Sequence, residues 1–227
     1  MNYLLVMLVF VSNILFGFIG FGLTGGLNTI SHPSGLSPLI VNQNNVGSFT
    51  YNEFKNPVSV GGYLYIDALP VVDLDLELNF KFIPYDFTFN NNFQSLDETF
   101  GWLSSSIYTT VQKELVKKTI PFLAKVKVFA GGGFNHHSST PMVNQDMLEI
   151  VMGGSDQLEN GTFDSTKMID YLNENKIDIS GVHVQLGTQF KIFTFDSMLI
   201  YRYVFSNGIT PDNDAFSNIN LRLGFGL

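Results

Sequence analysis

The sequence contains no cysteine, and it is poor in charged residues, above all in cations. The absence of cysteine excludes a disulfide framework, a thiolate metal site and a cysteine nucleophile. Only 14% of the 227 residues are charged, compared with about 25% in ordinary soluble domains. The 12 Lys and Arg are outnumbered by 20 Asp and Glu, which gives a net charge of −8. This balance argues against a nucleic-acid partner, because phosphate binding needs clustered cations.

The N-terminus carries two short apolar runs, Leu4–Phe10 and Ile14–Leu23. The first has the length of the apolar part of a secretory signal peptide, whereas a membrane-spanning helix needs about 20 apolar residues. No Lys or Arg precedes Lys55, so the basic residues usual in a signal peptide are missing. We expect residues 1–17 to be a signal peptide that is removed and residues 18–227 to be the folded domain. An uncleaved anchor is the alternative.

The segment Asp73–Phe82 alternates strictly between polar and apolar residues. A β-strand sends successive side chains to opposite faces, so period two predicts a strand with one apolar and one polar face. The apolar face holds Leu74, Leu76, Leu78, Phe80 and Phe82. The polar face holds Asp73, Asp75, Glu77, Asn79 and Lys81.

The same alternation recurs along the chain. It is clear in the segments Val58–Ala68, Ala124–Phe134, Val182–Ile192 and Asn218–Leu227. It is less regular in the segments Gly20–Thr29, Leu103–Leu115 and Ser197–Phe205. The apolar residues of Leu103–Leu115 also fit one face of a helix, but the Ser, Tyr, Thr and Val content favours a strand. The sequence therefore predicts about eight strands.

Strand length and loop length together indicate what covers the apolar faces. Strands of about ten residues or more exceed the usual five or six and match the length that crosses a bilayer at a tilt. Short connections alternate with long polar ones, which are Ser31–Pro57, Pro84–Gly101, Ser138–Asp178 and Ser206–Ser217. Because an open sheet edge in lipid leaves backbone groups unpaired, these features predict an all-β fold, a closed antiparallel up-and-down transmembrane β-barrel.

The long loop 138–178 contains two short helical patterns, Gln145–Met152 and Ser165–Asn173. Asp164 is placed to cap the second helix. The apolar residues of the two patterns could pack together as a cap that closes the barrel mouth or binds a ligand. These residues are Met147, Leu148, Ile150, Val151, Met168, Ile169 and Leu172.

The sequence resembles the small bacterial outer-membrane β-barrel proteins, the eight-stranded OmpA-like or OmpW-like barrels. The resemblance rests on the N-terminal segment, the repeated alternation, the strand PFLAKVKVFAGGGFN at Pro121–Asn135, and a final strand that is apolar at alternate positions. It implies location in the bacterial outer membrane, contact with outer-membrane lipid, and recognition of the last strand by the outer-membrane assembly machinery. The implied assembly signal comprises Leu223, Phe225 and Leu227, whereas that group usually ends in an aromatic residue.

With the apolar faces toward lipid, the opposite faces line the lumen and collect charges of both signs. The expected lipid-facing residues are Leu74, Leu76, Leu78, Phe80, Phe82, Val184, Leu186, Phe190, Leu221, Leu223 and Phe225. The expected lumen residues are Asp67, Asp73, Asp75, Glu77, Lys81, Glu114, Lys125, Lys127, His183, Lys191, Arg202 and Arg222. Side chains just fill an eight-stranded barrel, and buried charges are tolerable when they are paired. We therefore expect a network that fills the lumen, with a conducting or ligand-holding pore as the alternative.

No residue pattern predicts a cofactor or a metal site. The leading hypothesis is a non-enzymatic integral outer-membrane barrel with a structural or adhesive role, or one that passes small or apolar solutes. A secreted soluble barrel that binds a hydrophobic ligand would instead turn its apolar faces inward. A lipid-modifying hydrolase is a third hypothesis, because His136 with Ser138, or His137 with Ser139, could lie on one face of a strand.

Overall fold

The structure, a computed structural model, describes residues 19–67, 71–92, 95–120, 124–158, 164–209 and 214–226. The predicted signal peptide at residues 1–17 and Leu227 of the predicted assembly signal lie outside these ranges. Among the residues that the structure describes, no helix is both long and apolar enough to cross a membrane.

Eight long strands form a closed antiparallel ring. In ring order they are β1 (Ile19–Asn28), β6 (Val58–Ile66), β7 (Asp73–Asn91), β8 (Ser95–Ile120), β9 (Ala124–Ser139), β10 (Ile177–Ile192), β11 (Phe195–Phe205) and β12 (Ala215–Gly226). The ring closes because β7 pairs with β8 and β1 pairs with β12. The predicted closed antiparallel β-barrel of about eight strands is therefore confirmed, and Leu103–Leu115 is part of a strand, as favoured.

The register of the paired strands shows how strongly the barrel is sheared. The pairing can be followed from residue to residue once around the ring, starting at Ile120 of β8. It passes through β9, β10, β11, β12, β1, β6 and β7 and returns to β8 at Thr109 instead of Ile120. Such an offset tilts the strands against the barrel axis, typically by about 35–45°. It also carries β8 beyond its neighbour β7. Asp73 pairs with Gln112, and within the described ranges residues 113–120 pair only with β9.

The two ends of the barrel differ. At the turn end, β10 and β11 are joined by Phe193 and Thr194, and β1 meets β12 where Gly20 pairs with Gly226. At the loop end lie the helices and four further strands, which are β2 (Ser31–His32), β3 (Gly35–Val41), β4 (Asn44–Tyr51) and β5 (Phe54–Lys55). β3 pairs with β4, and β4 continues the sheet along the loop end of β7.

The prediction of polar loops at Ser31–Pro57 and Pro84–Gly101 is wrong. Most of the first segment forms β2 to β5, and the second lies mainly in β7 and β8. Its alternation is inverted, because the inward residues Tyr85, Phe87 and Phe89 are buried and apolar. Apolar residues inside and polar residues outside are the usual arrangement where the outer face of a strand meets water. The loop prediction failed because it expected apolar residues on the outer face of every strand.

The two predicted helices of the long loop are present. Helix α1 (Gln145–Met152) is capped at its N-terminus by Asn144, whose side chain accepts a hydrogen bond from the Met147 amide. Helix α2 (Ser165–Glu174) is capped by Asp164, as predicted. The Asp164 carboxylate accepts hydrogen bonds from the amides of Thr166 and Lys167. Such caps satisfy the free amides of the first helical turn.

An apolar core fills the loop end of the barrel. Trp102 of β8 is fully buried within it, and the inner face of α1 packs on it. The α1 residues in this core are Met147, Leu148, Val151 and Met152. Met168 and Leu172 of α2 are partly buried against it, whereas Ile150 and Ile169 are exposed. The predicted cap therefore packs onto the barrel interior, with two of its expected apolar members facing outward.

Candidate functional site

The outer surface of the barrel is an apolar belt. Every residue predicted to face lipid points outward, with an exposed fraction between 37% for Leu74 and 55% for Phe82. The belt continues onto β1, β6 and β8, through residues such as Leu23, Val60, Leu64 and Ile107. A soluble barrel with an internal ligand requires the opposite polarity, so the predicted alternative of a secreted hydrophobic-ligand carrier does not fit this surface.

Four fully buried charges form an ion network across the lumen. Arg222 on β12 donates to both carboxylate oxygens of Asp75 on β7, at 2.6 and 2.9 Å. Its Nε also donates to Glu77 at 2.8 Å. Arg202 on β11 donates to both oxygens of Glu77, at 2.9 and 3.2 Å. Cζ of the Arg202 guanidinium also lies 4.0 Å from the centre of the Tyr108 ring.

A second group of charges lies toward the turn end. Lys127 donates to Asp73 at 2.8 Å, and Lys125 donates to Asp67 at 3.0 Å. Asp67 follows β6 and is partly exposed. Burial alone would raise the pKa of the Asp67 carboxyl, but a hydrogen bond with Asp73 and the two ammonium groups lower it to about 2. The group thus stays ionised at neutral pH and ties the β6–β7 turn to β9.

Lys81 and the buried histidines form a third group near the loop end. The Lys81 ammonium donates to the Ser106 hydroxyl, which lies 2.7 Å from Nδ1 of His137. His183 contacts the Thr110 hydroxyl at 2.8 Å. No carboxylate oxygen of the described residues lies within 4.0 Å of the Lys81 ammonium. Within the described part of the chain, the group is therefore held by hydroxyl and imidazole contacts and has no ion pair of its own.

Two residues predicted to line the lumen lie at its turn-end rim and are only partly buried. Glu114 has the strand phase of the buried Gln112 and pairs in the ladder with the buried Phe129, but it is partly exposed and lies 3.3 Å from the Lys117 ammonium. Within the described ranges β7 supplies no partner at this level of β8, which leaves Glu114 open on that side. Lys191 has the strand phase of the buried Gln189 and is half-buried at the turn end.

The predicted lumen network did not include several polar residues that complete these groups, although the alternation of Val182–Ile192 places Gln185 and Gln189 on its polar face. Gln185 accepts two hydrogen bonds from Arg202, at 3.0 and 2.9 Å. Asp196 accepts hydrogen bonds from Tyr65 and, at 2.6 Å, from Gln189. Asp196 has the same strand phase as Arg202, so extending the β11 alternation toward the turn would have identified it as a lumen residue.

The histidine pair of the hydrolase hypothesis is split between the two faces of β9. His137 is fully buried in the lumen. His136 is exposed on the outer face, with Nδ1 3.0 Å from the Ser180 hydroxyl and Nε2 3.9 Å from Asp178. The second distance exceeds that of a hydrogen bond, so no carboxylate orients the imidazole as a triad requires. In the part of the chain that the structure describes, no group of three or more His, Cys, Asp or Glu could hold a metal ion.

Comparison with known proteins adds structural neighbours and no sequence match. No protein-family model and no curated protein matches the chain. Similar solved structures include the outer membrane protein OprG from Pseudomonas aeruginosa, at 11% identity and a TM-score of 0.43, with 92% of this chain and 93% of that chain covered. They also include Ail, the attachment invasion locus protein of Yersinia pestis, at 9% identity and a TM-score of 0.43, with 92% and 99% covered.

A third neighbour is the outer membrane protease OmpT from Escherichia coli, at 8% identity and a TM-score of 0.32, with 92% of this chain and 95% of that chain covered. Two of these three neighbours, OprG and OmpT, are outer-membrane proteins by name. The closed barrel that the resemblance implied is confirmed by the strand register of this chain itself.

Proposed function

We propose that this chain is an integral outer-membrane β-barrel with a closed lumen and a structural or adhesive role. The observation that carries the proposal is the polarity of the wall. Leucine and phenylalanine cover the outside, and paired carboxylates and guanidinium groups fill the inside. A belt of this kind is stable in hydrocarbon, where closure also satisfies the backbone hydrogen bonds. Outer-membrane lipid is therefore the first proposed partner.

A closed lumen is supported at two levels. The Asp75, Glu77, Arg202 and Arg222 side chains are fully buried and bridge β7 to β11 and β12 across the interior. Nearer the loop end, Trp102 and the inner face of α1 fill the remaining width. An open pore leaves such charges in contact with water. Passage of small or apolar solutes through the lumen is accordingly less favoured than a structural or adhesive role.

The loop end supplies the surface for an adhesive role. β7 and β8 extend well beyond the apolar belt, and outward acidic residues such as Asp86 and Asp97 occupy this extension. Asp86 and Asp97 accept hydrogen bonds from Thr99 and Thr88, which link the two strands. A rigid sheet that projects acidic side chains into water suits contact with a partner, as exposed loops do in other proteins. We assign no enzymatic step to this surface.

Assembly into the membrane is the remaining part of the proposal. Leu223 and Phe225 face outward on β12, the strand that pairs with β1 to close the barrel. These two residues, together with Leu227, are proposed as the signal read by the outer-membrane assembly machinery. Replacing Phe225 with Ser should lower the yield of folded barrel in cells, whereas replacing the outward Leu186 with Ser should lower it less.

Three measurements test the proposed function. The expressed protein should partition with detergent-extracted membranes, and on a denaturing gel the unheated sample should migrate differently from the heated one. Reconstituted in a planar bilayer, it should show no steady conductance. Soluble material with heat-independent migration would overturn the membrane assignment, and a steady open channel would overturn the closed lumen and restore solute passage.

A further inference from the structure

Helix α2 covers an apolar groove on the outside of the barrel wall. The groove has a volume of about 440 Å³. Phe80 on β7 and Leu103 on β8 line its wall side, and Ile169 and Leu172 of α2 line the opposite side. Phe80 and Leu103 are both about half exposed and belong to the outer belt. The groove is therefore continuous with the surface that contacts lipid in the proposed function.

One side of the groove is polar. Ser105 and Ser138 lie on the outer faces of β8 and β9, Asn173 lies in the last turn of α2, and Lys176 follows that helix. The Lys176 side chain is 57% exposed, and the nearest carboxylate oxygen that pairs with it belongs to Asp178, at 3.9 Å. At that distance the ammonium makes no hydrogen bond to Asp178. It is free to donate to an anion beside the groove.

The position of the groove fits the boundary of a membrane leaflet. On β7 the outward residues change from Phe80 and Phe82 to the polar Asp86 within six residues. On β9 they change from the apolar Phe134 to His136 and Ser138. The groove crosses this boundary, since its Phe80 and Leu103 side chains are apolar and its Ser138 and Lys176 side chains are polar. A ligand that matches it is an amphiphile.

We infer that the groove binds one acyl chain of a membrane lipid whose phosphate group is held by Lys176. This inference rests on the proposed membrane location. The alkyl chain lies between the belt and the apolar side of α2, where it removes Ile169 and Leu172 from water. The phosphate accepts charge-assisted hydrogen bonds from the Lys176 ammonium and further bonds from the Ser105 and Ser138 hydroxyls. A phospholipid and a phosphorylated glycolipid share this chemistry, so both serve as probes.

Lipid retention by the purified full-length barrel tests the inference. The protein is delipidated in detergent and mixed with dimyristoyl phosphatidylglycerol, with lipid A, or with dimyristoylglycerol, which lacks phosphate. Bound lipid is counted by native mass spectrometry. We expect one phosphatidylglycerol or one lipid A to be retained per barrel, at an occupancy at least tenfold above that of dimyristoylglycerol. The lipid with the higher occupancy identifies the physiological class, and inorganic phosphate in excess should not displace it.

Two variants and one matched control distinguish a specific lipid site from the lipid that surrounds any membrane protein. Leu103→Trp fills the groove and should abolish retention of every lipid. Leu221→Trp changes an outward residue of β12 with nearly the same exposure, 50% compared with 52% for Leu103, and should leave retention unchanged. Lys176→Gln should remove the preference for phosphate while the acyl chain still binds.

The outcomes distinguish this inference from the proposed function. If the wild-type barrel retains no lipid, or if Leu103→Trp and Leu221→Trp behave alike, the groove does not bind lipid specifically and the inference fails. The same samples are run unheated and heated on a denaturing gel. Heat-dependent migration in those samples shows that the membrane barrel itself is intact, whereas its absence in the wild type overturns the proposed function.

Discussion

Nη1 of Arg222 lies 2.6 Å from Oδ2 of Asp75, so the last strand of the chain is tied across the lumen to β7. Both side chains are fully buried, and Arg222 also donates to Glu77. The closing strand is therefore fixed by its backbone ladder with β1 and β11 and also by two carboxylates on the far wall. Replacing one charged residue of this network with a neutral one leaves its partners charged, buried and out of contact with water.

Replacing Arg222 with Leu should lower the free energy of unfolding by about 3–5 kcal/mol, the usual cost of leaving a buried charge without its partner. Urea titration in lipid vesicles, followed by fluorescence of the single tryptophan, Trp102, measures this loss. The matched control is Lys55→Leu, which breaks an exposed ion pair with Glu53 and should cost at most about 1 kcal/mol. Equal effects of the two variants would contradict a stabilising network.

Replacing Lys81 with Met should raise the free energy of unfolding by about 1 kcal/mol or more. Its ammonium is buried, and within the described ranges it has no carboxylate partner, so a side chain of similar size without charge avoids a desolvation cost. Lys127→Met is the comparison, because Lys127 is equally buried but pairs with Asp73 at 2.8 Å. That variant should lower the same quantity by about 3 kcal/mol. A similar loss in both variants would mean that Lys81 is also paired.

Replacing Asp67 with Asn should destabilise the barrel at neutral pH and have little effect near pH 2. The carboxyl has a pKa of about 2 in the folded protein, below its ordinary value of 3.8. Because its pKa is lowered on folding, its stabilising effect is fully present above pH 3.8 and is lost as the pH falls toward about 2. Urea titrations of wild type and variant at several pH values measure the difference. Lys125→Gln removes one ammonium partner of Asp67 and should narrow the pH range over which the stabilising effect of Asp67 is lost. An unchanged range would count against the ion pair as the cause of the lowered pKa.

The exposed pair of His136 and Ser180 should not hydrolyse lipid. Nε2 of His136 lies 3.9 Å from Asp178, which is too far for the hydrogen bond that orients a catalytic base. Vesicles of phosphatidylglycerol incubated with the reconstituted barrel should release fatty acid at the protein-free rate. His136→Ala and Ser180→Ala should behave like the wild type. Release that disappears in both variants would establish an enzyme and reverse the non-enzymatic assignment.

The part of the barrel that carries the outer apolar belt could be predicted from the sequence because one alternation pattern governs it. Between Asp73 and Phe82, every outward residue is apolar and every inward residue is polar. This pattern does not continue past Phe82. From Tyr85 onward the inward residues are aromatic, so a prediction that expects polar inward residues assigns this extension of β7 to a loop. The hairpin of β3 and β4 was missed for the same reason.

The sequence predicts which types of residue line the lumen, but it does not predict which of these residues pair with each other. Alternation placed Glu77 and Arg202 on the inner face, yet their contact joins residues 125 positions apart in the chain, and only the barrel register determines it. Glu114 has the inward phase but is only partly buried, because it lies on the part of β8 that extends beyond the ladder with β7. The groove under α2 could not be foreseen, since it arises where a helix of the long loop meets the outside of the wall.

The extension of β8 beyond β7 has a consequence for solubility and assembly. Residues 113–120 have a partner strand on the β9 side, and on the other side the described residues supply none. A free strand edge of this length invites pairing with another chain, and lysine is a common protection against such aggregation. Lys113, Lys117 and Lys118 lie on this edge and are exposed. Their mutual repulsion should keep two copies from joining edge to edge.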